Sequence, residues 1–92
     1  MDDKVKAEWL KALRSGEYKQ CKHILYRRKT GGYCCIGVLG RTIGKTSDEL
    51  VDGTLGWMSF GGIDYKLAKE LAEMNDSGVS FKAIADYIEG QK

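Results

Sequence analysis

Seven cations, Lys19, Lys22, Arg27, Arg28, Lys29, Arg41 and Lys45, stand between Glu17 and Asp48 with no acidic residue among them. Clustered positive charge attracts anions: phosphates, nucleotides, nucleic acid or an acidic protein face. Tyr18, Tyr26 and Tyr33 are interleaved with these cations, so a ring can stack on a base while Lys or Arg holds phosphate. The alternative is a half-buried strand face with a solvated cationic edge. Trp57 lies in a glycine-rich stretch rather than on a helix stripe, as a further stacking or interface residue. Arg14 precedes the basic window directly, so its guanidinium can point into it; the plainer reading is a positive charge at the C-terminal end of a helix. The candidate ligand-binding set is Arg14, Tyr18, Lys19, Gln20, Lys22, Arg27, Tyr33 and Trp57.

Other strings that suggest chemistry have plainer readings. Gly44-Lys45-Thr46 matches the end of a phosphate-binding P-loop, but that motif needs a glycine five residues before Gly44, and Leu39 stands there. Cys21, His23, Cys34 and Cys35 lack the spacing of structural zinc sites, and adjacent residues on a strand point to opposite faces. Buried thiols and a surface histidine are the expectation. A Cys-His couple across a hairpin would lack a third group to orient it. Asn75-Asp76 most simply stops a helix, with a ligand contact as the alternative. The reading is therefore a binding protein, not an enzyme, with no metal and no cofactor.

The elements that must position these residues form one domain, 1–92, because 92 residues supply a single modest core. An apolar fraction of 42% and a charged fraction of 30% are ordinary for a globular chain. The net charge of +2 conceals segregation, since residues 48–92 hold nine acids against four bases. No apolar run approaches a membrane span, and the N-terminal Met-Asp-Asp-Lys lacks the features of a signal peptide. With three cysteines, an odd number, a secreted disulfide framework is not expected. The expected location is the cytosol, with no membrane partner.

Val5, Trp9, Ala12 and Leu13 share one face of an amphipathic helix that Gly16 ends. Lys22 to Arg28 and Gly32 to Ile36 read as short β segments around Lys29-Thr30-Gly31-Gly32, a hairpin. The run Tyr33 to Leu39 suits strand passing into helix. Residues 44–63 are loop-rich, with a short helical turn opened by Ser47 and anchors Leu55, Trp57, Met58, Phe60 and Ile63. Asp64 caps a helix with the stripe Leu67, Ala68, Leu71 and Met74, stopped by Asn75 to Gly78. Ser80 caps a last helix with Phe81, Ile84, Ala85 and Ile88 inward, closed by Gly90. The fold class is α+β: a small, mainly helical single domain with an N-terminal helix, two C-terminal helices and a short β-hairpin.

Three blocks carry a resemblance: Trp9 to Gln20 (WLKALRSGEYKQ), Tyr33 to Leu39 (YCCIGVL) and Leu71 to Ile88 (LAEMNDSGVSFKAIADYI). They resemble a family of small proteins encoded by phages, prophages and some larger viruses. Relatives usually have glycines after the Gln of the first block, where this chain has Cys21 and His23. The resemblance implies a virus-carried accessory protein of the kind that counters host defence, acting in the host cytosol. Joined to the basic window, it suggests sequestration of an anionic nucleotide-type immune signal such as a cyclic dinucleotide, enclosed between the subunits of a homo-oligomer. Two alternatives remain: direct inhibition of a host defence enzyme or nuclease, and non-specific nucleic-acid binding. For the latter the final helix is poorly charged, with Lys82 set against Asp86 and Glu89.

Overall fold

A computed structural model describes residues 3–46, Leu50 and 63–90. The elements follow as α1 (Asp3–Arg14), β1 (Lys19–Gln20), β2 (Tyr26–Arg27), β3 (Gly32–Tyr33), α2 (Cys35–Thr42), α3 (Tyr65–Asp76) and α4 (Phe81–Glu89). This is the expected α+β class, helices packed on one another with a small sheet beside α2. Ser47, Leu55, Trp57, Met58 and Phe60 lie outside the described residues.

The helices follow their apolar stripes. Helix α1 buries Trp9, Leu10 and Leu13, and the chain leaves it through Gly16 at φ +77, the left-handed region that favours glycine. The side chain of Ser80 caps α4 by accepting from the Ala83 N–H at 3.2 Å. Asp64 occupies the N-cap of α3 in extended geometry but makes no side-chain capping bond. Trp9, Leu25, Ile36, Leu39, Leu71 and Ile84 form the centre of the core, each almost fully buried.

Among the described residues the sheet is smaller than the sequence suggested and has one strand more. Strand order is β1-β3-β2, with β1 parallel and β2 antiparallel to β3. The β2–β3 turn falls where the hairpin was expected, with the Gly31 N–H donating to the Arg27 carbonyl at 2.8 Å. Strand β3 stops early because Cys34, still extended at φ −85 and ψ 173, becomes the N-cap of α2. Its Sγ accepts from the Gly37 N–H at 3.4 Å. Helix α2 then runs so close to the strand connection that a Cβ on Gly37 would sit 2.0 Å from the Leu25 carbonyl oxygen.

That early turn strands the next rungs of the β1·β3 ladder. The Cys21 N–H still donates to the Tyr33 carbonyl at 2.8 Å, the last parallel rung. Continued pairing would give the Cys21 carbonyl a donor from residue 35, but residue 35 has entered a helix. Asn75, wholly buried on α3, supplies it: its Nδ2 donates to the Cys21 carbonyl at 2.8 Å. The following amide, His23 N–H, donates to Asp76 Oδ1 at 2.8 Å. The Cys35 carbonyl receives Trp9 Nε1 at 2.9 Å. Asn75-Asp76 therefore completes a strand with side chains, a stronger role than stopping a helix. His23 itself sits at φ +74, where glycine is the easier residue.

Candidate anion-binding face

Register decides which side chains share a face. Lys19 and Arg27 are both paired with Gly32, one from each flank, while Gln20 and Tyr26 are both paired with Tyr33. Successive side chains alternate across a strand, so the cations leave one face of the sheet and the rings the other. Lys19 and Arg27 are exposed, with their Cα atoms about two strand spacings, roughly 10 Å, apart. Long flexible side chains span that gap to a single phosphate. Lys22, on the loop after β1, and Arg28 and Lys29, in the β2–β3 turn, are also exposed. Among the described residues Lys19, Lys22, Arg27 and Lys29 make no ion pair, so their charge is directed to solvent.

Between the two cations the surface is narrow. A Cβ on Gly32 would lie 2.9 Å from the Cys21 Cβ, so the absent side chain leaves room for Cys21 beside β3. Arg27 Nη2 reaches the Lys22 carbonyl at 3.5 Å, a long contact that leaves most of its donors free for a ligand. Cys21 Sγ donates to the Ile24 carbonyl at 3.4 Å. Burial raises the Cys21 thiol pKa, and the charge of Arg27 opposes the rise.

The other face carries the rings beside Gln20. Tyr18 meets Tyr33 edge-on with ring centroids 5.4 Å apart, and Tyr26 lies tilted over Tyr33 at 4.6 Å. Tyr33 is only 9% exposed and belongs to the core, while Tyr18 and Tyr26 are half-buried against it. Alternation thus separates rings and cations that are interleaved in sequence, and the stacking role expected of Tyr33 gives way to packing.

Two further candidates are engaged internally. Arg14 is held by α4, with Nη2 2.8 Å from Asp86 and 3.0 Å from Glu89. The Glu89 and Asp86 carboxylates raise its pKa further. The expectation that Arg14 aims into the window is corrected on that ground. Gln20 Nε2 donates to Asn75 Oδ1 at 2.8 Å and to the Val79 carbonyl at 2.7 Å, which pins β1 to the α3–α4 turn. Trp57 lies outside the described residues. Lys19, Lys22 and Arg27 thus remain as the members of the expected set that are exposed and make no ion pair among the described residues.

The thiols and the histidine form no catalytic pair. His23 Nδ1 lies 3.3 Å from Asp76 Oδ2, and burial pushes the Cys34 thiol up to about 11. Cys35, wholly buried, is pushed well above the ordinary range by the same cause. Both are therefore largely protonated at neutral pH, so attack by either is slow and quickens as pH rises. Among the described residues no group of three or more His, Cys, Asp or Glu side chains is placed to hold a metal ion, and no helix is long and apolar enough to cross a membrane.

A family model described as a domain of unknown function (DUF8296) matches residues 1–55. The chain belongs to the DUF8296 family. No curated protein and no solved structure matches it. The DUF8296 match covers α1, the whole sheet and α2, and so includes every cation of the basic face. The Asn75-Asp76 clamp that completes the sheet lies beyond it.

Proposed function

We propose that this protein captures a phosphate-bearing, nucleotide-type ligand on the cationic face of its sheet, with Lys19 and Arg27 as the principal contacts and Lys22 beside them. The observation that carries this reading is the shared register of Lys19 and Arg27 with Gly32, which fixes two exposed cations on opposite flanks of one glycine. Arg offers a planar fork for two phosphate oxygens and Lys a mobile point charge, a pairing suited to a phosphodiester. With the tyrosines on the opposite face, recognition rests on phosphate more than on base stacking.

The resemblance to virus-carried accessory proteins supplies the biological reading: sequestration of a nucleotide-type immune signal, for example a cyclic dinucleotide. Such a ligand carries two phosphates related by symmetry, and two copies of this chain would offer two cationic faces related in the same way. A homo-oligomer is therefore part of the proposal. The test is release on denaturation. Protein purified from cells that make such signals should yield a small ultraviolet-absorbing molecule when unfolded. A host protein recovered in stoichiometric complex, with no such molecule, would support direct inhibition instead.

A further inference from the structure

Extending the parallel register by one step, from Lys19↔Gly32 and Gln20↔Tyr33, sets Cys21 opposite Cys34. The Cys21 N–H to Tyr33 carbonyl bond shows that the pairing reaches this point, and Cys34 keeps extended backbone angles. By alternation both thiols leave the same face as Gly32. Adjacent strands lie about 4.8 Å apart, which falls within the Cα separation of about 4.4–6.8 Å that a disulfide needs. Both cysteines carry free thiols, and a charge on Cys21 is felt at Cys34. Cys35 is placed differently: its Sγ turns to the Leu71 carbonyl at 3.6 Å, inside the helical core.

We infer that Cys21 and Cys34 are an oxidisable pair that a small-molecule disulfide converts to an intramolecular disulfide joining β1 to the N-cap of α2. The exchange has two steps. Cys21 loses its proton, and its thiolate attacks one sulfur of the small disulfide, forming a mixed disulfide and expelling one small thiolate. Cys34 then loses its proton and attacks Cys21 Sγ, forming the internal bond and expelling the second small thiolate. The two protein thiols are oxidised by two electrons, the small disulfide is reduced to two thiols, and those thiols take up the two protons. Burial raises the Cys21 thiol as it does that of Cys34, but at Cys21 the Arg27 charge opposes the rise, and so Cys21 is the entry point. Closing the bond moves Cys21 Sγ off the Ile24 carbonyl and takes Cys34 Sγ away from the Gly37 N–H.

The experiment incubates the native, reduced protein with oxidised glutathione, blocks remaining thiols with iodoacetamide and maps peptides by mass spectrometry without reduction. Trypsin separates Cys21, in Gln20-Cys21-Lys22, from Cys34 and Cys35, which share the peptide Thr30–Arg41. The expected product is these two peptides joined through Cys21 and Cys34, lighter by two hydrogens, with Cys35 alkylated once the protein is unfolded. Cys35→Ser should give the same link, and Cys21→Ser should remove it. A Cys34–Cys35 bond, links only between chains, or a glutathione adduct that persists on Cys21 while Cys34 stays alkylatable would overturn the assignment. So would resistance of the folded protein under conditions that oxidise the unfolded chain.

Discussion

Replacing Asn75 by alanine removes the group that finishes the sheet, and the cost can be worked from its two bonds. The first, from Nδ2 to the Cys21 carbonyl, has no substitute because residue 35 is helical. A buried carbonyl left without a donor costs about 1–3 kcal/mol. In the second, Gln20 Nε2 loses Asn75 Oδ1 but keeps the Val79 carbonyl, an ordinary bond worth about 0.5–1.5 kcal/mol; a third, long contact from Nδ2 to the neighbouring Asp76 Oδ1 at 3.3 Å adds little. Asn75→Ala should therefore destabilise the fold by about 2–4 kcal/mol, a large part of the 5–15 kcal/mol typical of a domain. Urea unfolding followed by circular dichroism measures it, with an unchanged m-value showing that the shift is one of stability. Asn75→Asp keeps an acceptor for Gln20 but buries a carboxylate and removes the donor, so its loss should be at least as large. A folded Asn75→Ala protein within about 1 kcal/mol of wild type would refute the idea that this amide replaces a strand rung.

Gly37→Ala forces a Cβ to within 2.0 Å of the Leu25 carbonyl oxygen, and since a backbone atom cannot rotate away, it should cost about 3 kcal/mol or abolish folding, as read from thermal melts. The Cys34 thiol, whose ordinary value is 9.0, is raised to about 11 in the folded chain by burial. The unfolded chain therefore loses this proton first, and the stability it contributes is full below pH 9 and lost as pH rises towards 11. The difference between wild type and Cys34→Ala should shrink by on the order of 2–3 kcal/mol over that range in denaturant titrations. Arg14→Ala should cause a small loss of stability that high salt screens, with ligand binding unaffected, because this guanidinium serves α4. A large binding defect in that variant would return Arg14 to the site.

What the sequence made legible is what local physics decides. Apolar spacing placed Trp9 and Leu13 on α1, Leu71 on α3 and Ile84 on α4, and Ser80 marked its helix start. The Lys29 to Gly32 turn marked the hairpin, and Tyr33 to Leu39 did pass from strand to helix. Less legible were features set by chain segments distant in sequence. Strand β1 is two residues long and parallel, so it has no alternating run to betray it. Asn75 is 54 residues from the carbonyl it serves, and the sequence showed only a polar pair at a helix end. Arg14 chose carboxylates more than 70 residues away over the adjacent basic window. The cations were legible as a cluster, but their face required the register with Gly32. Once that pairing is known, period two alone separates Lys19 and Arg27 from Tyr26 and Tyr33.

The most direct measurement of the central claim is calorimetric titration of the purified protein with a panel of cyclic and linear nucleotides, repeated on Lys19→Ala and Arg27→Ala. Saturable binding of at least one phosphodiester ligand is the expected result. Each single substitution should weaken it about tenfold or more, as expected for a lost charge-assisted contact of about 1.5–3 kcal/mol. Both variants should stay folded, since neither side chain supports the core. No heat of binding for any ligand at high micromolar concentration, or binding that both variants retain in full, would contradict it.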